Sequence, residues 1–271
     1  MTAAYRACIA CGSTGAQLAQ HKDGYAIVRC PICGLVYVGE DPAAIDFDAI
    51  YGESYYTGGS DQVFADYLGQ ERARRASARR RLWALRLLRR RGRLLDIGCA
   101  AGFFLVEAQR CYQVQGVEFS NYSARFARER FGLDVFTGTL TQARLPAAQF
   151  DLITLWDVIE HVPDPDAVLA EAARLLKPDG RLVLTTGDIG SGYAQRQGAQ
   201  WHLLAPPWHL YYFSRQTLAR LGARAGLRAT GCQARGVAGD GRWWRSRPGI
   251  ALANLFGCGD IMQMTFARAA A

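Results

Sequence analysis

From residue 93 to residue 186 the chain alternates short, almost continuously apolar stretches with longer segments of helical spacing. The apolar stretches are Leu94-Leu-Asp-Ile97, Val114-Gln-Gly-Val-Glu118, Asp134-Val-Phe136, Phe150-Asp-Leu-Ile-Thr-Leu155 and Arg181-Leu-Val-Leu-Thr-Thr186. Strands this apolar cannot leave one face in water, and helical crossovers make successive strands parallel. The covering helices are expected at 103–111, 121–131 and from Asp164 or Asp166 to about Lys177-Pro178-Asp-Gly180. The alternation predicts an α/β fold with a Rossmann-like, doubly wound, mostly parallel sheet. A helix over 214–225, a strand over 227–232 and an antiparallel last strand over 261–267 complete it.

Four cysteines precede this alternation as Cys8-x2-Cys11 and Cys30-x2-Cys33, with eighteen residues between the pairs. Gly12 and Gly34 follow the second Cys of each pair, where a tight knuckle turns its amides toward sulfur. Two knuckles make a closed, four-thiolate tetrahedral site that suits structural Zn²⁺. Two disulfides are the alternative, but residues 1–8 carry no apolar leader segment, and thiols stay reduced inside a cell. Short candidate strands at 25–29 and 35–38 would be stapled by the metal into a ribbon too small for its own core. Cys99, Cys111, Cys232 and Cys258 lack such spacing and read as small core residues. The expected organisation is a zinc ribbon over 1–40 and a linker with an Arg-rich helix over 41–92. A ligand-binding domain follows over 93–271, with 187–213 and 236–259 as substrate-side insertions.

Half of the 271 residues are apolar and 21% are charged, which excludes a disordered chain. No apolar run approaches the ~18 residues of a bilayer-spanning helix, so a cytoplasmic protein is expected. The net charge of +8 invites a nucleic-acid reading, yet residues 72–93 alone hold eleven Arg and no acid. The rest of the chain is therefore net acidic, and one positive segment is not a basic footprint. Leu68, Leu82, Leu85 and Leu88 recur near helical spacing, which predicts a solvated helix over 61–91 with Arg stems lying on apolar surface.

The most informative stretch is Leu94-Leu-Asp-Ile-Gly-Cys-Ala-Ala-Gly102. Gly98 and Gly102 fall at the carboxyl end of the first parallel strand, where such sheets bind ligands. Glu118 lies twenty residues after Gly98 at the end of the second strand, where a carboxylate can accept hydrogen bonds from both hydroxyls of a ribose. The pyrophosphate turn G-x-G-x-x-G is absent, and Asp96 just before the turn would repel a pyrophosphate. The same carboxylate suits a cation such as an ammonium or a sulfonium. A nucleoside joined to an amino acid through a sulfonium fits both halves of the site, and that ligand is S-adenosylmethionine.

At these residues the chain resembles the class I S-adenosylmethionine-dependent methyltransferases. Leu95-Asp-Ile-Gly-Cys-Ala-Ala-Gly102 is similar to their first motif, with Ala100 at the middle glycine, and Glu118 to their ribose carboxylate. Phe150-Asp-Leu-Ile-Thr-Leu-Trp-Asp157 looks like their fourth-strand motif, and Leu176-Lys-Pro-Asp-Gly-Arg-Leu182 like their lead into strand five. The resemblance implies cofactor contacts from Tyr56, Asp96, Gly98, Gly102, Phe103, Glu118, Phe119, Thr139, Leu140, Trp156 and Asp157. Phe119 would stack on adenine, with Thr139 or Leu140 at its edge. Taken with the ribbon, Trp156-Asp-Val-Ile-Glu-His-Val-Pro163 and Pro206-Pro-Trp-His-Leu-Tyr-Tyr-Phe-Ser214 are similar to a zinc-ribbon subgroup. That subgroup is associated with sugar C-methylation and small-molecule O-methylation. His209, Tyr212 and Phe213 match the base-bearing segment of the sugar enzymes, whereas Pro206 and Trp208 replace its Tyr and Glu. The departures favour an oxygen nucleophile, with C-methylation as the alternative.

An alcohol acceptor must lose a proton, which calls for a base of pKa near 7, typically His. His21 lies in the ribbon and is set aside. His209, before an aromatic run, is the first candidate, and His161, after the fourth strand, is the second; Tyr212 stands beside them. Either His can instead be a hydrogen-bonded structural residue. Asp157-x-x-Glu160-His161 resembles a segment proposed for metal in ubiquinone-pathway O-methyltransferases; its other reading is a cap on the strand-to-helix junction. Residues 242–256 mix Arg and Trp ahead of an apolar run and read as core packing, a lid, a dimer contact or a lipid-facing surface. The acceptor is expected to be a sugar, a lipid-linked molecule or a secondary metabolite. An RNA substrate is the alternative, although Trp156-Asp157-Val158-Ile159 is not the Asn/Asp-Pro-Pro-Tyr type of motif that reading needs.

Overall fold

A computed structural model describes residues 5–50, 53–57, 67–235 and 259–269. The chain divides into two compact units, one made of Met1–Ile45, Asp157–Ala170 and Val183–Ala271, the other of Asp46–Trp156 and Glu171–Leu182.

The first unit opens with β1 (Gln17–Lys22), β2 (Tyr25–Arg29) and β3 (Val36–Val38). Strand β1, mostly exposed and without an apolar pattern, is not legible in the sequence. It pairs antiparallel with β2 across Asp23-Gly24, where both residues take positive φ (49° and 85°), the geometry a tight hairpin turn requires.

The second unit carries the short helices α1 (Phe47–Ile50) and α2 (Glu53–Thr57), then α3 (Glu71–Leu88), β4 (Arg93–Ile97), α4 (Phe103–Ala108), β5 (Gln113–Glu118), α5 (Asn121–Phe131), β6 (Val135–Thr137) and β7 (Phe150–Trp156). Its core is the apolar content of the strands, with Leu94, Leu95, Phe150 and Leu152 fully buried. Strand β4 is parallel to β5 and to β7, and β5 is parallel to β6. Ser120 caps α5 by accepting from the Ser123 amide, and Gly132 ends that helix at φ 64°.

Helix α3 is shorter than its sequence pattern implies; residues 58–66 lie outside the described part. Its packed face is Ala78, Leu82 and Leu85, but Leu88, expected with them, is 45% exposed. The helix is held instead by a buried acid on α4: Glu107 accepts from Arg75 Nε at 2.8 Å and from Arg79 at 3.1 Å.

Two elements bridge the division of the chain. Helix α6 (Pro165–Leu175) begins where Asp164 accepts from the Ala167 amide at 2.9 Å. Strand β8 (Leu176–Gly187) starts earlier than the sequence suggests, absorbing the Lys177-Pro178 stretch expected to end the helix. A residue ahead of proline disfavours the helical region, so the chain extends as soon as α6 stops. Lys177 Nζ then donates to Asp151 at 2.7 Å, and its charge and that hydrogen bond hold the Asp151 carboxyl below the usual range against its burial.

The first unit continues with α7 (Gly192–Gln197), β9 (Tyr211–Tyr212), α8 (Arg215–Arg224), β10 (Leu227–Arg235) and β11 (Ile261–Arg268). Strand β9 pairs with β3 and completes a sheet of order β1-β2-β3-β9. Ile27, Val36 and Val38 of the ribbon strands pack with Trp201, Leu204 and Tyr212. The segment expected as a bare insertion after Gly187 is therefore structured, and it ends inside the ribbon sheet. The larger sheet has the order β10-β11-β8-β7-β4-β5-β6, with β10 and β11 antiparallel, as expected for a doubly wound fold with a reversed end. Cys99 is buried as expected, but Cys232 is exposed on β10, a strand whose residues 228–233 all face out. Cys258 and residues 242–256 lie outside the described residues.

Gly102 gives a direct check on this packing. Its φ is +77°, and an added Cβ would meet Leu133 Cδ1 at 2.5 Å and Ala127 Cβ at 3.1 Å. Gly102→Ala should lower unfolding stability by about 2–4 kcal/mol, combining left-handed strain with overpacking, as read from urea melts.

Candidate active site

The second unit gathers its polar groups at the carboxyl ends of β4 and β5. Asp96, the penultimate residue of β4, is buried and accepts from the Thr154 hydroxyl of β7 at 2.6 Å. Burial pushes its carboxyl up to about 7, opposed by Thr154 and the charge of Arg81. The turn after β4 is left-handed at three alternate positions, Gly98 (φ 69°), Ala100 (φ 47°) and Gly102 (φ 77°). Ala100 takes a conformation that costs an L-residue roughly 1–2 kcal/mol. What holds it is Glu118: Oε2 accepts from the Ala100 amide at 2.8 Å, while Oε1 accepts from the Ser120 amide at 2.9 Å. Burial raises the Glu118 carboxyl, and the amides of Ser120, Ala100 and Phe119 and the Tyr56 hydroxyl oppose that rise. The Gly98 amide donates to Val117 O at 2.8 Å, so the two strand-end turns are tied from both sides.

The remaining residues expected at the cofactor fall into distinct surroundings. Phe119 is 43% exposed, its ring available for stacking beside Glu118. Leu140 is buried, and the Thr139 amide donates to Gln142 Oε1 at 2.8 Å, which shapes the turn after β6. Tyr56 is buried and stacks on Tyr122 at 6.1 Å. Phe103 lies within an aromatic cluster, stacked on Tyr67 and edge-on to Phe126 and Phe131. Trp156 ends β7 edge-on to Phe104, with the Arg81 guanidinium over its ring, and its buried Nε1 has no hydrogen-bond partner among the described residues. An unpaired buried donor at a strand end is a group a ligand can satisfy. Thr154, which steadies Asp96, is not marked by any motif; its signal in the sequence is a hydroxyl in a strand that is apolar apart from it and Asp151.

The first unit contains the candidate base. Asp157 takes a left-handed φ of 58°; its amide donates to Thr185 O, and its Oδ1 accepts from the Thr185 hydroxyl at 2.8 Å. His209 is buried, and its Nδ1 lies 2.7 Å from Leu203 O. His161 Nδ1 lies 2.7 Å from Trp208 O. A carbonyl partner fixes Nδ1 as the protonated nitrogen of both rings and leaves each Nε2 with its lone pair. The rings meet edge to face at 4.6 Å. Burial, then the neighbouring His209, lowers His161 to about 3, and burial lowers His209 despite the Leu203 carbonyl. Both are neutral imidazoles.

Glu160 completes this cluster. It is buried, its Oε2 has no hydrogen-bond partner, and burial followed by the charge of Asp157 raises its carboxyl to about 8. A narrow crevice is lined by Glu160, Thr186, Gly187, Trp201, Leu203, His209, Tyr211 and Tyr212. Asp164, not Glu160 or His161, caps α6, so the capping alternative fails. Glu160, His161 and His209 offer ligand atoms within 4.8 Å of one another, a donor set a divalent cation accepts, while the Asp157 carboxylate is turned to Thr185. The Tyr212 hydroxyl donates to His209 O at 2.9 Å, and burial pushes its pKa up. Tyr212 thus fixes the backbone of His209 and keeps its proton.

The four ribbon cysteines are free thiols whose Sγ atoms all lie within 4.8 Å of one another. Cys8 and Cys33 approach to 3.4 Å and Cys11 and Cys30 to 3.5 Å. These separations are too long for a disulfide and near the roughly 3.8 Å of sulfurs around a tetrahedral zinc. Gly12 (φ 75°) and Gly34 (φ 78°) supply the left-handed turns, and their amides donate to Cys8 O and Cys30 O at 2.7 and 3.0 Å. Burial raises the Cys8 thiol; at Cys30 the amides of Cys33 and Ile32 outweigh burial and lower the thiol to about 6. A donor set of this shape fits Zn²⁺.

A family model described as a methyltransferase domain matches residues 67–230. A ubiquinone biosynthesis O-methyltransferase of Stutzerimonas stutzeri is 34% identical over 101 residues, covering 35% of this chain and 44% of the relative. One from Bordetella avium is 30% identical over 161 residues, covering 51% and 63%. The chain thus spans less than two thirds of these relatives. Among solved structures, a SAM-dependent methyltransferase from Archaeoglobus fulgidus superposes with a TM-score of 0.56 at 17% identity, covering 74% of this chain and 99% of that one. One from Thermotoga maritima gives 0.54 at 24% identity, covering 74% and 93%. Matched over more than half its length, and folded as the class I enzymes are, this chain belongs to the methyltransferase-domain family.

Proposed function

We propose that this chain transfers the methyl group of S-adenosylmethionine to a hydroxyl oxygen of a small molecule, with His209 taking the hydroxyl proton. The observation that carries the reading is the pair of buried carboxylates, Asp96 and Glu118, at adjacent parallel strand ends around a left-handed turn. A pyrophosphate would be repelled there, whereas a cationic amino acid joined to a ribose would be held. Similarity to ubiquinone biosynthesis O-methyltransferases supports an oxygen acceptor over a sugar carbon. Sugar, lipid-linked and secondary-metabolite alcohols are the acceptor classes this reading admits.

When bound, S-adenosylmethionine supplies a methyl carbon on a positively charged sulfur. The chain's work is alignment, which can supply ~7–11 kcal/mol, and proton removal, which contributes ~10²–10⁴-fold. Glu118 would accept the ribose hydroxyls while keeping its amide bonds, Asp96 would face the ammonium, and Phe119 would stack on adenine. The Trp156 Nε1 donor would find its partner on the ligand. His209 uses Nε2 as the base, because its Nδ1–H is committed to Leu203 O. Cys8, Cys11, Cys30 and Cys33 would hold one structural zinc. Among the described residues no helix is long and apolar enough to cross a membrane.

Because Asp96 must ionise to attract an ammonium and is held near 7, affinity for S-adenosylhomocysteine should rise from about pH 6 to about pH 8. Calorimetry should show this slope in the wild type and a flat profile in Asp96→Asn; no binding at any pH, with NAD bound instead, overturns the reading. His209→Ala should lower kcat by ~10²–10⁴-fold, while Tyr212→Phe, which loses one bond to a carbonyl, should cost under about tenfold. Metal analysis of the purified chain should return one zinc, and Cys33→Ser should abolish it and lower the melting temperature.

A further inference from the structure

The Arg-rich helix α3 has an outer face that the cofactor chemistry does not use. Trp83 is 68% exposed and Leu87 is 72% exposed, the most exposed large apolar side chains of this helix. On a helix of 3.6 residues per turn, Arg72, Arg80 and Arg86 fall on the same side as these two, and all three are exposed. Arg74, Arg75, Arg79 and Arg81 are engaged elsewhere: Arg74 over Tyr67, Arg75 and Arg79 on Glu107, Arg81 over Trp156. No ion pair forms on Arg72, Arg80 or Arg86 among the described residues, and residues 72–93 contain no acid. The outer face thus combines uncompensated positive charge with a tryptophan and a leucine standing out into solvent.

We infer that the outer face of α3 docks on an anionic lipid surface, with Arg72, Arg80 and Arg86 on phosphate headgroups and Trp83 and Leu87 in the interfacial layer. Three features select this occupant. A guanidinium binds a phosphate bidentately, and several on one face sum their attraction to a negatively charged leaflet. An indole is favoured at the depth where headgroups meet acyl chains, and Leu87 one turn on extends the same apolar strip. An acid-free helix face excludes a basic partner by repulsion, and a folded acidic protein would need a pocket for the indole. A nucleic acid would use the arginines but gains little from Leu87. The docking does not depend on the identity of the methyl acceptor, since none of these side chains belongs to the strand-end site.

The test uses the full chain in flotation with vesicles of phosphatidylcholine containing phosphatidylglycerol, against vesicles of phosphatidylcholine alone. Wild type should float with the anionic vesicles, weaken as salt rises, and stay unbound to the neutral ones. Arg80→Gln together with Arg86→Gln should weaken partition by roughly 25-fold, at about fivefold per charge. Trp83→Ser should weaken it too while leaving the melting temperature and S-adenosylhomocysteine affinity unchanged, because the side chain is exposed. Any of three results overturns the proposal. One is equal partition to both vesicle types, or none to either. Another is salt-dependent binding of homopolymeric RNA without vesicle binding. The last is a dimer that Trp83→Ser dissociates while vesicle partition is unaltered. Cofactor binding retained in a chain that ignores vesicles would sink this surface and leave the proposed activity standing.

Discussion

The arrangement at the strand ends depends on one carboxylate. Glu118 spends its two oxygens on two amides, one from the turn after β4 and one from the residue that caps α5. The first of these bonds steadies Ala100 in a left-handed conformation that alanine alone avoids. The second steadies the start of a helix. The acid proposed to bind the ribose therefore also sets the shape of both turns at these strand ends. Burial raises its carboxyl, and the amides of Ser120, Ala100 and Phe119 with the Tyr56 hydroxyl limit that rise.

Asp96 is treated differently, and the contrast is chemical. Among the described residues its hydrogen-bond donor is the Thr154 hydroxyl, and burial, opposed by Thr154 and the charge of Arg81, raises its carboxyl to about 7. Under the proposed function, Glu118 would accept from neutral hydroxyls and Asp96 would change charge when a cation arrives. In the first unit the same logic yields neutral imidazoles: each Nδ1 faces a carbonyl, and neither ring has a carboxylate on that nitrogen. Glu160 keeps one buried oxygen without a hydrogen-bond partner among the described residues, a cost that burial alone does not offset.

Much of this was legible in the residues. The parallel strands, the cysteine knuckles and the strand-end acids each follow from a local rule, a continuous apolar run, a ligand spacing or a turn that only small residues make. What was not legible came from pairings between residues far apart in the chain. β1 carries no apolar alternation and exists because β2 offers it an edge. Leu88 follows helical spacing with Leu85 but faces solvent, because Glu107, an acid on another helix, fixes how α3 is turned. Tyr212 matches a base-bearing motif by type, yet its proton goes to the carbonyl of the residue that carries the imidazole. Asp164 competes with Glu160 for the cap and wins because it stands immediately before Pro165.

The pairing of β3 with β9 gives the cysteine ribbon a reach beyond its own few strands. Val36 and Tyr37 lie opposite Tyr212 and Tyr211, and the residues just before them carry the candidate base. The cysteine cluster at one end of a small sheet is thereby joined, through β3 and β9, to an imidazole at the other. Oxidising the sulfurs would unsettle the ribbon and slacken the peptide that aims that imidazole, so the redox condition of the surroundings would reach a reaction that itself transfers no electrons.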